Sequence, residues 1–399
     1  MRVLMIHNFY QLSGGEDSIV RAEMSLLQEN GVDVDLFSTT NDIIKGRLAQ
    51  ARVAFQVVYN PFARRAVAKK LAEFAPDVVH IHNFFPLLSP SVFDACRDAG
   101  VPSVLTLHNY RILCPTAFLG ADDENRERSL RHACWWTVPK KVYRNSATGT
   151  LALAIMVEFH KRAGTWRRKV DRFIALTDCA RRTFTDGGLP AERISVKPNW
   201  VPRPPGSNQS ERKGGLFVGR LDEQKGVKVL LRAWKDLDCP LTIIGDGPLL
   251  DMVRQSANDH IVYLGRQPRE VVQREMQAAQ FLVLPSMGHE MFPVTVLEAY
   301  ANQLPVICSD LPSIGELVEA GVTGLKFAPG DERGLASRVR WAMRNAPMLD
   351  TYGRRARSIY EERYTPEVSF EKLIGIYRSV CREHAKSWGD GRAASEVLS

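Results

Sequence analysis

The chain has 399 residues, 45% of them hydrophobic and 25% charged, a composition typical of a soluble globular protein of two domains. A net charge of +8 favours anionic or phosphorylated partners, and because no nucleic-acid-binding signature occurs we expect no nucleic-acid partner. Seven cysteines without a CxxC pair favour reduced thiols in the cytoplasm. The first residues, MRVLMIHNFY, enter a strand directly, so we expect no signal peptide, and no apolar stretch approaches the roughly 20 residues of a membrane span.

The first half of the chain alternates strand and helix patterns. Short apolar runs predict strands at 2–8, 32–38, 77–82 and 102–108, and amphipathic patterns predict helices at 17–28, 62–74 and 91–100. This alternation predicts a parallel sheet with helices on both faces. The turn after the first strand carries Ser13, Gly14 and Gly15, a layout that lets the backbone approach a phosphate, although a plain tight turn explains it equally well.

Histidine–asparagine pairs stand at the ends of three predicted strands. They are His7-Asn8, His82-Asn83 and His108-Asn109. Ligands of open α/β sheets bind beyond the carboxyl ends of the strands, so the three pairs together predict the polar floor of a ligand cleft. A single histidine is more often a hydrogen-bonded core or loop residue. His108 follows the most apolar strand and is the first candidate.

Two basic stretches of this half predict contact with an anionic membrane surface. One is the cluster Arg64, Arg65, Lys69 and Lys70, and the other is the run 161–172, which includes Trp166. Basic residues beside apolar ones suit a peripheral protein at the inner face of the cytoplasmic membrane. A solvated basic face is the alternative for each stretch.

The segment 200–215, WVPRPPGSNQSERKGG, has the composition of a linker. It separates a first domain, 1–199, from a second series of alternating strands and helices that begins at 216. Long helical patterns close the chain. The sequence therefore predicts two doubly wound α/β domains with a ligand cleft between them.

In the second series, the stretch VLPSMGHEMFPVTVLEAYANQLPVI predicts an anion site. A buried strand ends at Pro285, and Pro293 opens a helix whose first free amides belong to Val294 and Thr295. Glu290 and Glu298 bracket this helix start, and a carboxylate can accept two sugar hydroxyls. A nucleotide sugar has this layout of hydroxyls, diphosphate and hydroxyls. For either glutamate alone, a helix cap is the simpler explanation.

Positive charge follows the strand at the start of the second domain. In FVGRLDEQKGV, Arg220 leaves the carboxyl end of the strand and Lys225 precedes a helix, so both could reach one diphosphate. Surface ion pairs with Asp222 and Glu223 are the alternative.

The motifs GGED, TLHN, FVGRLDEQKG, IIGDGPL and Glu290-x7-Glu298 followed by PVI occur in an order that resembles glycosyltransferase family four. The resemblance extends to about residue 380. It implies the GT-B fold, two Rossmann-like domains facing each other across a cleft, in retaining enzymes of group 1 that include bacterial polysaccharide and lipid-glycan biosynthesis members. It also implies that a final helix, 375–399, rejoins the first domain, which leaves 216–374 as the nucleotide-sugar-binding domain.

Site roles follow from the same resemblance. The implied diphosphate-binding residues are Gly15, Arg220, Lys225, Val294 and Thr295. The implied donor-sugar residues are Glu290, Met291, Phe292 and Pro293, with Glu298 on the ribose hydroxyls and His108 beside the sugar's C6 side. His108 and Glu290 are the candidate catalytic residues. Because Arg220 and Lys225 would take the place of a metal ion, we expect neither metal nor cofactor.

Two positions depart from the family pattern. Met291 and Gln303 stand where the family usually has glycine. Because Met291 can alter the loop that contacts the donor sugar, the identity of that sugar is not inferred from relatives. At the second position we expect Asn302 to supply the left-handed conformation of the helix end.

The expected activity is retaining sugar transfer from a UDP- or GDP-sugar to a hydroxyl of a glycan or lipid-linked acceptor. The alternative is a catalytically silent partner protein that binds a sugar nucleotide, which Met291 favours. A phosphorylase would need a pyridoxal-phosphate lysine motif, and a dinucleotide oxidoreductase would need GxGxxG, and neither occurs.

Overall fold

We analysed a computed structural model of the chain. It describes residues 1–11, 15–44, 46–119, 123–206, 212–288 and 290–396, without the side chains of 47, 48, 50, 123–126 and 387–396. The chain divides into two compact units. The first unit is Met1–Lys197 with Phe370–Ser399, and the second unit is Pro198–Ser369. The predicted linker, 200–215, falls within the second unit.

The first unit is built on a six-stranded parallel sheet in the order β2-β1-β3-β4-β5-β6. Its strands are β1 (Arg2–Phe9), β2 (Asp33–Thr40), β3 (Val78–Asn83), β4 (Ser103–Thr106), β5 (Arg172–Ala175) and β6 (Ile194–Val196). Its helices are α1 (Gly15–Glu29), α2 (Gly46–Gln56), α3 (Pro61–Phe74), α4 (Ser91–Asp98), α5 (Asp123–Arg131), α6 (Ala147–Arg162), α7 (Thr165–Lys169), α8 (Asp178–Asp186) and, at the end of the chain, α16 (Pro366–Glu396).

The last helix belongs to the core of the first unit. Apolar side chains of α16 pack against strand residues such as Val3 and Met5 and against helix residues such as Val20 and Leu27. The α16 residues in this cluster are Leu373, Ile374, Tyr377 and Val380. Each is almost fully buried, so α16 covers the sheet as an integral layer.

The second unit has a second six-stranded parallel sheet, in the order β12-β11-β10-β7-β8-β9. Its strands are β7 (Gly215–Val218), β8 (Leu241–Ile244), β9 (Ile261–Gly265), β10 (Phe281–Leu284), β11 (Val306–Ser309) and β12 (Gly324–Phe327). Its helices are α9 (Val227–Trp234), α10 (Leu250–Ser256), α11 (Arg269–Ala278), α12 (Val294–Ala301), α13 (Pro312–Gly315), α14 (Glu332–Arg344) and α15 (Ala346–Arg363).

Backbone contacts join the loops that follow β7 and β10, because these two strands are neighbours in the sheet. Gly226 has a φ of 71°, and a Cβ at this position would lie 1.7 Å from the carbonyl oxygen of Pro285. Met287 N donates to Gln224 O at 2.7 Å. Only glycine permits this approach, so Gly226 fixes the spacing of the two loops.

The predicted α/β class is confirmed, and differences are local. Helices α2, α5, α7 and α8 were not predicted, and the stretch that forms α5 was expected to be a loop. Pro293 is extended, with φ −75° and ψ 97°, so α12 begins one residue later than predicted. Gln303, and not Asn302, takes the left-handed conformation, with φ 55°. Arg212 donates to the Gln303 carbonyl at 3.0 Å and so holds the turn.

All seven cysteines are free thiols, as the sequence predicts. Across the described ranges, every helix is too short or too polar to serve as a membrane span.

Candidate functional site

The loops after β7 and β10 bring a cation and a carboxylate together. Lys225 Nζ lies 2.7 Å from Glu290 Oε2, and the Ser286 hydroxyl donates to the other oxygen of Glu290. Both charged side chains are largely buried, with 29% of Lys225 and 16% of Glu290 exposed. Two of the predicted site residues, 65 positions apart, therefore form one charged pair.

Asp222 organises the loop that carries the two predicted cations. It accepts a hydrogen bond from the backbone amide of Lys225 at 2.9 Å and pairs with Arg220 Nε at 3.2 Å. The Arg220 side chain is 68% exposed, so its surface pair is weak and can rearrange. Glu223 pairs instead with Lys228, which leaves Lys225 to Glu290.

The start of α12 offers free backbone donors. No side chain caps the helix, and within the described ranges the amides of Val294 and Thr295 have no hydrogen-bond acceptor. Val294, Thr295 and Glu298 are half-buried, whereas the side chains between and after them are buried. These three residues thus share the accessible face, where the helix dipole favours an anion.

Glu298 lies about one turn inside α12 on that face. Burial raises the pKa of its carboxyl, and Arg269 opposes the rise. A ligand that brings hydroxyl donors would satisfy the partly desolvated carboxyl group.

The remaining predicted donor-sugar residues contribute backbone and packing. Met291 and Phe292 are each 8% exposed, and the ring of Phe292 meets that of Tyr364 edge to face with centroids 6.4 Å apart. Their side chains therefore hold the loop in place, which leaves backbone groups to meet a ligand. Pro293 is also buried.

The glycine turn after β8 is structural. A Cβ on Gly245 would lie 1.8 Å from the Gly219 carbonyl oxygen, and one on Gly247 would lie 2.6 Å from that of Leu221. Leu221 N donates to Asp246 O at 2.9 Å. The turn thus packs against the segment that carries Arg220.

In the first unit, the predicted histidines join a buried charged chain. His108 Nε2 lies 3.1 Å from His82 Nδ1, and His82 Nε2 lies 3.3 Å from Glu23 Oε1. The other oxygen of Glu23 is 2.7 Å from Lys197 Nζ. Glu23 and Lys197, which the sequence analysis did not single out, are 2% and 4% exposed.

The same carboxylate reaches the last helix. Glu23 Oε1 is 3.2 Å from His80 Nδ1, which is 2.6 Å from the hydroxyl of Tyr377 on α16. The second ring nitrogen of His80 contacts Thr106 Oγ1 at 2.7 Å. Helices α1 and α16 and strands β3 and β4 therefore meet in one polar cluster.

Burial sets the charge states in this cluster. It acts to raise the pKa of Glu23, but Lys197 and the neighbouring histidines outweigh it and hold that pKa well below its ordinary range. Burial lowers the pKa of His82 to about 3 and holds that of His108 well below 6.5. Glu23 is thus ionised at neutral pH, whereas His82 and His108 are neutral.

Glu23, His80 and His82 have the donor types and spacing of a metal site, the one such group among the residues that the structure describes. A divalent cation would have to displace the Lys197 ammonium from the carboxylate. Lys197 already supplies the compensating charge, so these residues do not fit a metal site.

The other pairs at the strand ends have structural roles. His7 Nε2 lies 2.8 Å from Asp17 Oδ1 on α1. Asn8 and Asn83 are engaged by backbone, since Leu87 N donates to Asn8 Oδ1 and Asn83 Nδ2 donates to Asn8 O. Of the three predicted pairs, only His82 and His108 face each other with their ring nitrogens.

Gly15 is exposed at the first position of α1, and a Cβ there would have open space around it. Neighbouring atoms therefore do not demand glycine at this position. Ser13 and Gly14, the rest of the predicted turn, lie outside the described residues.

Ion pairs neutralise most of the first predicted membrane patch and two cations of the second. In the first patch, Arg64 pairs with Asp98, Lys69 with Glu73 and Lys70 with Asp35. In the run 161–172, Lys169 forms an ion pair with Asp94, and Arg172 forms one with Glu383. Trp166 is 3% exposed, so the run has no aromatic side chain at its surface.

Two family models match the chain and together span most of it. Residues 14–200 match the model of the glycosyl transferase 4-like domain, and residues 212–345 match that of glycosyl transferases group 1. The chain belongs to the group 1 glycosyltransferases. The predicted family and the predicted GT-B fold are thereby confirmed.

Individual relatives agree with this assignment. This glycosyltransferase is 25% identical over 409 residues to the phosphatidyl-myo-inositol mannosyltransferase of Mycolicibacterium smegmatis, covering 95% of this chain and 94% of that protein. An uncharacterised glycosyltransferase of Methanocaldococcus jannaschii is 31% identical over 44% of this chain and 50% of its own length. The crystal structure of Anabaena HepE in complex with UDP has a TM-score of 0.68 at 18% identity, covering 95% of this chain and all of that one.

We predict that four buried histidines make the free energy of unfolding rise as pH increases toward 6.5, against an opposite contribution from Glu16, whose pKa burial raises to about 8. Burial lowers the pKa of four histidines, so below pH 6.5 each binds fewer protons in the folded glycosyltransferase than in the unfolded chain. They are His7, His82, His108 and His160. Their contribution to stability is therefore lost as pH falls below 6.5. Denaturant titrations at a series of pH values measure the slope.

A matched pair of variants isolates one histidine. His160→Gln can keep contacts to Thr165 and to the Val58 carbonyl, and it should make the slope below pH 6.5 shallower. His260→Gln, at an exposed position, is the control. Equal slopes for both variants would contradict the prediction.

Proposed function

We propose that this glycosyltransferase moves a sugar from a nucleoside-diphosphate sugar to a hydroxyl of a glycan or lipid-linked acceptor, with retention of the anomeric configuration. The main support for a nucleoside-diphosphate-sugar donor is the arrangement of charged side chains and free amides on the loops after β7 and β10. There the Lys225–Glu290 pair joins a loop carrying Arg220 to a loop that leads into an uncapped helix.

The diphosphate is assigned to the positive groups. Lys225 and Arg220 both lie on the loop after β7, and the amides of Val294 and Thr295, which follow the neighbouring strand β10, add neutral donors. Charge-assisted bonds of this kind contribute roughly 1.5–3 kcal/mol each. Lys225 is bound to Glu290, so a phosphate would share the three N–H donors of the Lys225 ammonium group with that carboxylate.

The hydroxyl-rich groups are assigned to the carboxylates. Glu298 would accept the ribose hydroxyls, and Glu290 would accept sugar hydroxyls while Lys225 and Ser286 hold it in place. Both oxygens of Glu290 are already bound, so the ligand would use the remaining lone pairs. The roles implied for Gly15 and His108 in the first unit stay part of the proposal.

Catalysis would be electrostatic. Charge develops on the leaving diphosphate, where Arg220, Lys225 and the start of α12 can stabilise it without a metal ion. Retaining glycosidases place two carboxyl groups about 5–5.5 Å apart for double displacement. The family resemblance implies attack on the same face instead, with the leaving phosphate accepting the proton of the acceptor hydroxyl.

UDP in the complex of HepE supports a nucleoside-diphosphate donor, and the mannosyltransferase relative supports a lipid-linked acceptor. The competing proposal is a silent partner that binds the sugar nucleotide without transfer. Met291 favours it, because the side chain is buried where the family usually has glycine. Slow hydrolysis of the donor by the purified protein would separate the two, since a silent partner releases no nucleoside diphosphate.

The first prediction of this proposal concerns nucleotide binding without metal. Among UDP, GDP, ADP and CMP, one diphosphate should raise the unfolding temperature by several degrees with or without magnesium. Ligand at 100 times its Kd adds about 2.7 kcal/mol. Arg220→Ala should reduce the shift, whereas Arg340→Ala, on the exposed face of α14, should retain it. A shift that requires magnesium would contradict the assignment of the diphosphate to Arg220 and Lys225.

The second prediction concerns Glu290. Glu290→Gln should lose about two orders of magnitude or more in kcat, as expected when a preorganised polar contact is removed. The fold should survive, because a glutamine can accept a hydrogen bond from Lys225 through its carbonyl oxygen and donate one to the Ser286 hydroxyl through its amide. Steady-state kinetics with the donor found by the thermal shift measure the effect. The exposed Glu319→Gln in the same unit is the control, and near-wild-type turnover of Glu290→Gln would refute the role.

A membrane surface for a lipid-linked acceptor is better supported by α6 than by the predicted basic patches. Leu151, Ile155 and Phe159 repeat every four residues on this helix and are 42%, 41% and 51% exposed. We call them the α6 stripe. Trp135 lines a surface pocket with Ile155 and Phe159 of the stripe, and Arg162, which borders the pocket 4.0 Å from Glu158, is 70% exposed. Apolar side chains beside a cation suit peripheral contact with anionic lipid at the cytoplasmic face of a membrane.

We therefore predict sedimentation with anionic liposomes that weakens at high salt. The double variant Ile155→Ser/Phe159→Ser should lose binding, because it removes apolar area from the α6 stripe. Met343→Ser removes an equally exposed apolar side chain from the second unit and should bind as the wild type does. Binding that ignores lipid charge and salt would count against the membrane surface.

A further inference from the structure

Three side chains form a chain of contacts that ends at His108. Glu23 Oε1 is 3.3 Å from His82 Nε2, and His82 Nδ1 is 3.1 Å from His108 Nε2. The two rings are inclined by 22°, with centroids 5.4 Å apart. This separation is the nitrogen–nitrogen distance plus one ring radius on each side, so the rings meet edge to edge, as a hydrogen bond between two ring nitrogens requires.

The charge at one end of the chain fixes the direction of its hydrogen bonds. The Glu23 carboxylate, held ionised by Lys197, can only accept. Neither the facing nitrogen, His82 Nε2, nor Glu23 Oε1 has a hydrogen-bond partner of ordinary geometry among the described residues, and the two atoms lie 3.3 Å apart, so the carboxylate charge favours a proton on Nε2. Because His82 is neutral, its Nδ1 is then a bare acceptor.

The same reasoning passes to the next ring. A bare Nδ1 on His82 requires that the nitrogen opposite it, His108 Nε2, donates the hydrogen bond. His108 is also neutral, so its own Nδ1 keeps a lone pair. Within the described ranges no protein group donates to that atom, and His108 lines a surface pocket with Phe85 and Arg111.

We propose that Glu23 is a positioning residue, which acts through His82 to hold His108 in its Nε2-protonated tautomer and leaves Nδ1 free to accept a hydrogen bond from a substrate hydroxyl. The inference rests on the proposed function only for the identity of that hydroxyl, a sugar hydroxyl of donor or acceptor. Lys197 completes the arrangement, because its ammonium keeps Glu23 ionised in a buried position.

A merely structural role for the cluster would require burial and compensated charge but not one tautomer. The tautomer is therefore the decisive observable, and it does not depend on activity. We would label the protein with ¹⁵N-histidine and assign His108 as the resonances missing from a His108→Gln spectrum. Two-bond proton–nitrogen correlations then show which ring nitrogen carries the proton. The proposal expects a proton on Nε2 of His108, and a proton on Nδ1 would overturn it.

Variants test the direction of the chain. In Glu23→Gln the side-chain amide can donate a hydrogen bond to His82 Nε2. His82 and His108 can then both adopt the opposite tautomer. We expect His108 to acquire a proton on Nδ1 and kcat to fall on the order of tenfold, the factor that one hydrogen bond represents. Nucleotide-induced thermal shifts should be unchanged. An unchanged tautomer in folded Glu23→Gln would refute the role of Glu23.

Tyr377→Phe is the matched control. It removes a polar group that contacts His80 in the same cluster but leaves the chain from Glu23 to His108 intact, so the His108 tautomer should persist. If Glu23→Gln does not fold, Glu23→Gln/Lys197→Met removes the buried charge together with its partner and provides the second test. The two proposals fail separately. A proton on His108 Nε2 without nucleotide binding would refute the proposed function and support the tautomer assignment. Nucleotide binding with a proton on His108 Nδ1 would support the proposed function and refute the tautomer assignment.

Discussion

The ion pair between Glu23 and Lys197 is the interaction on which the first unit depends. A carboxylate buried beneath the carboxyl ends of the strands is costly unless a cation compensates it. Lys197 lies 174 positions along the chain and provides that cation, while ring nitrogens of His80 and His82 lie 3.2 and 3.3 Å from the other oxygen. The Glu23 carboxylate thereby joins helix α1, strand β3 and the segment after β6. Its charge also decides which neighbouring ring nitrogens carry protons.

In the second unit, backbone geometry plays the corresponding part. Gly226 lets the loop after β7 touch the loop after β10, and this contact sets Lys225 opposite Glu290. The sequence predicted these elements well, because strand and helix periods differ clearly and the motifs stand at strand ends. It placed Arg220, Lys225, Glu290 and the start of α12 in one region, since parallel strands direct their following loops to the same edge.

The features that the sequence did not reveal depend on contacts between residues far apart in the chain or on small differences in conformational free energy. Glu23 stands among apolar residues on the inner face of α1, and an acid in that position signals a buried partner, but nothing local identifies Lys197. The neutralisation of Lys70 by Asp35 and the burial of Trp166 likewise arise only when helices pack. Gln303 takes the left-handed turn expected of Asn302, and Arg212, far away in sequence, binds the carbonyls of both residues.

The contact between Tyr377 and His80 spans 297 positions, and the second unit lies between them in the chain. During synthesis the ribosome therefore releases every strand of the first sheet long before it releases the helix that covers that sheet. Until then Val3, Met5 and the polar cluster lack part of their shielding from water. The nascent first unit must wait with an incomplete core while the second unit folds, because domains generally fold as they emerge and non-local contacts form late.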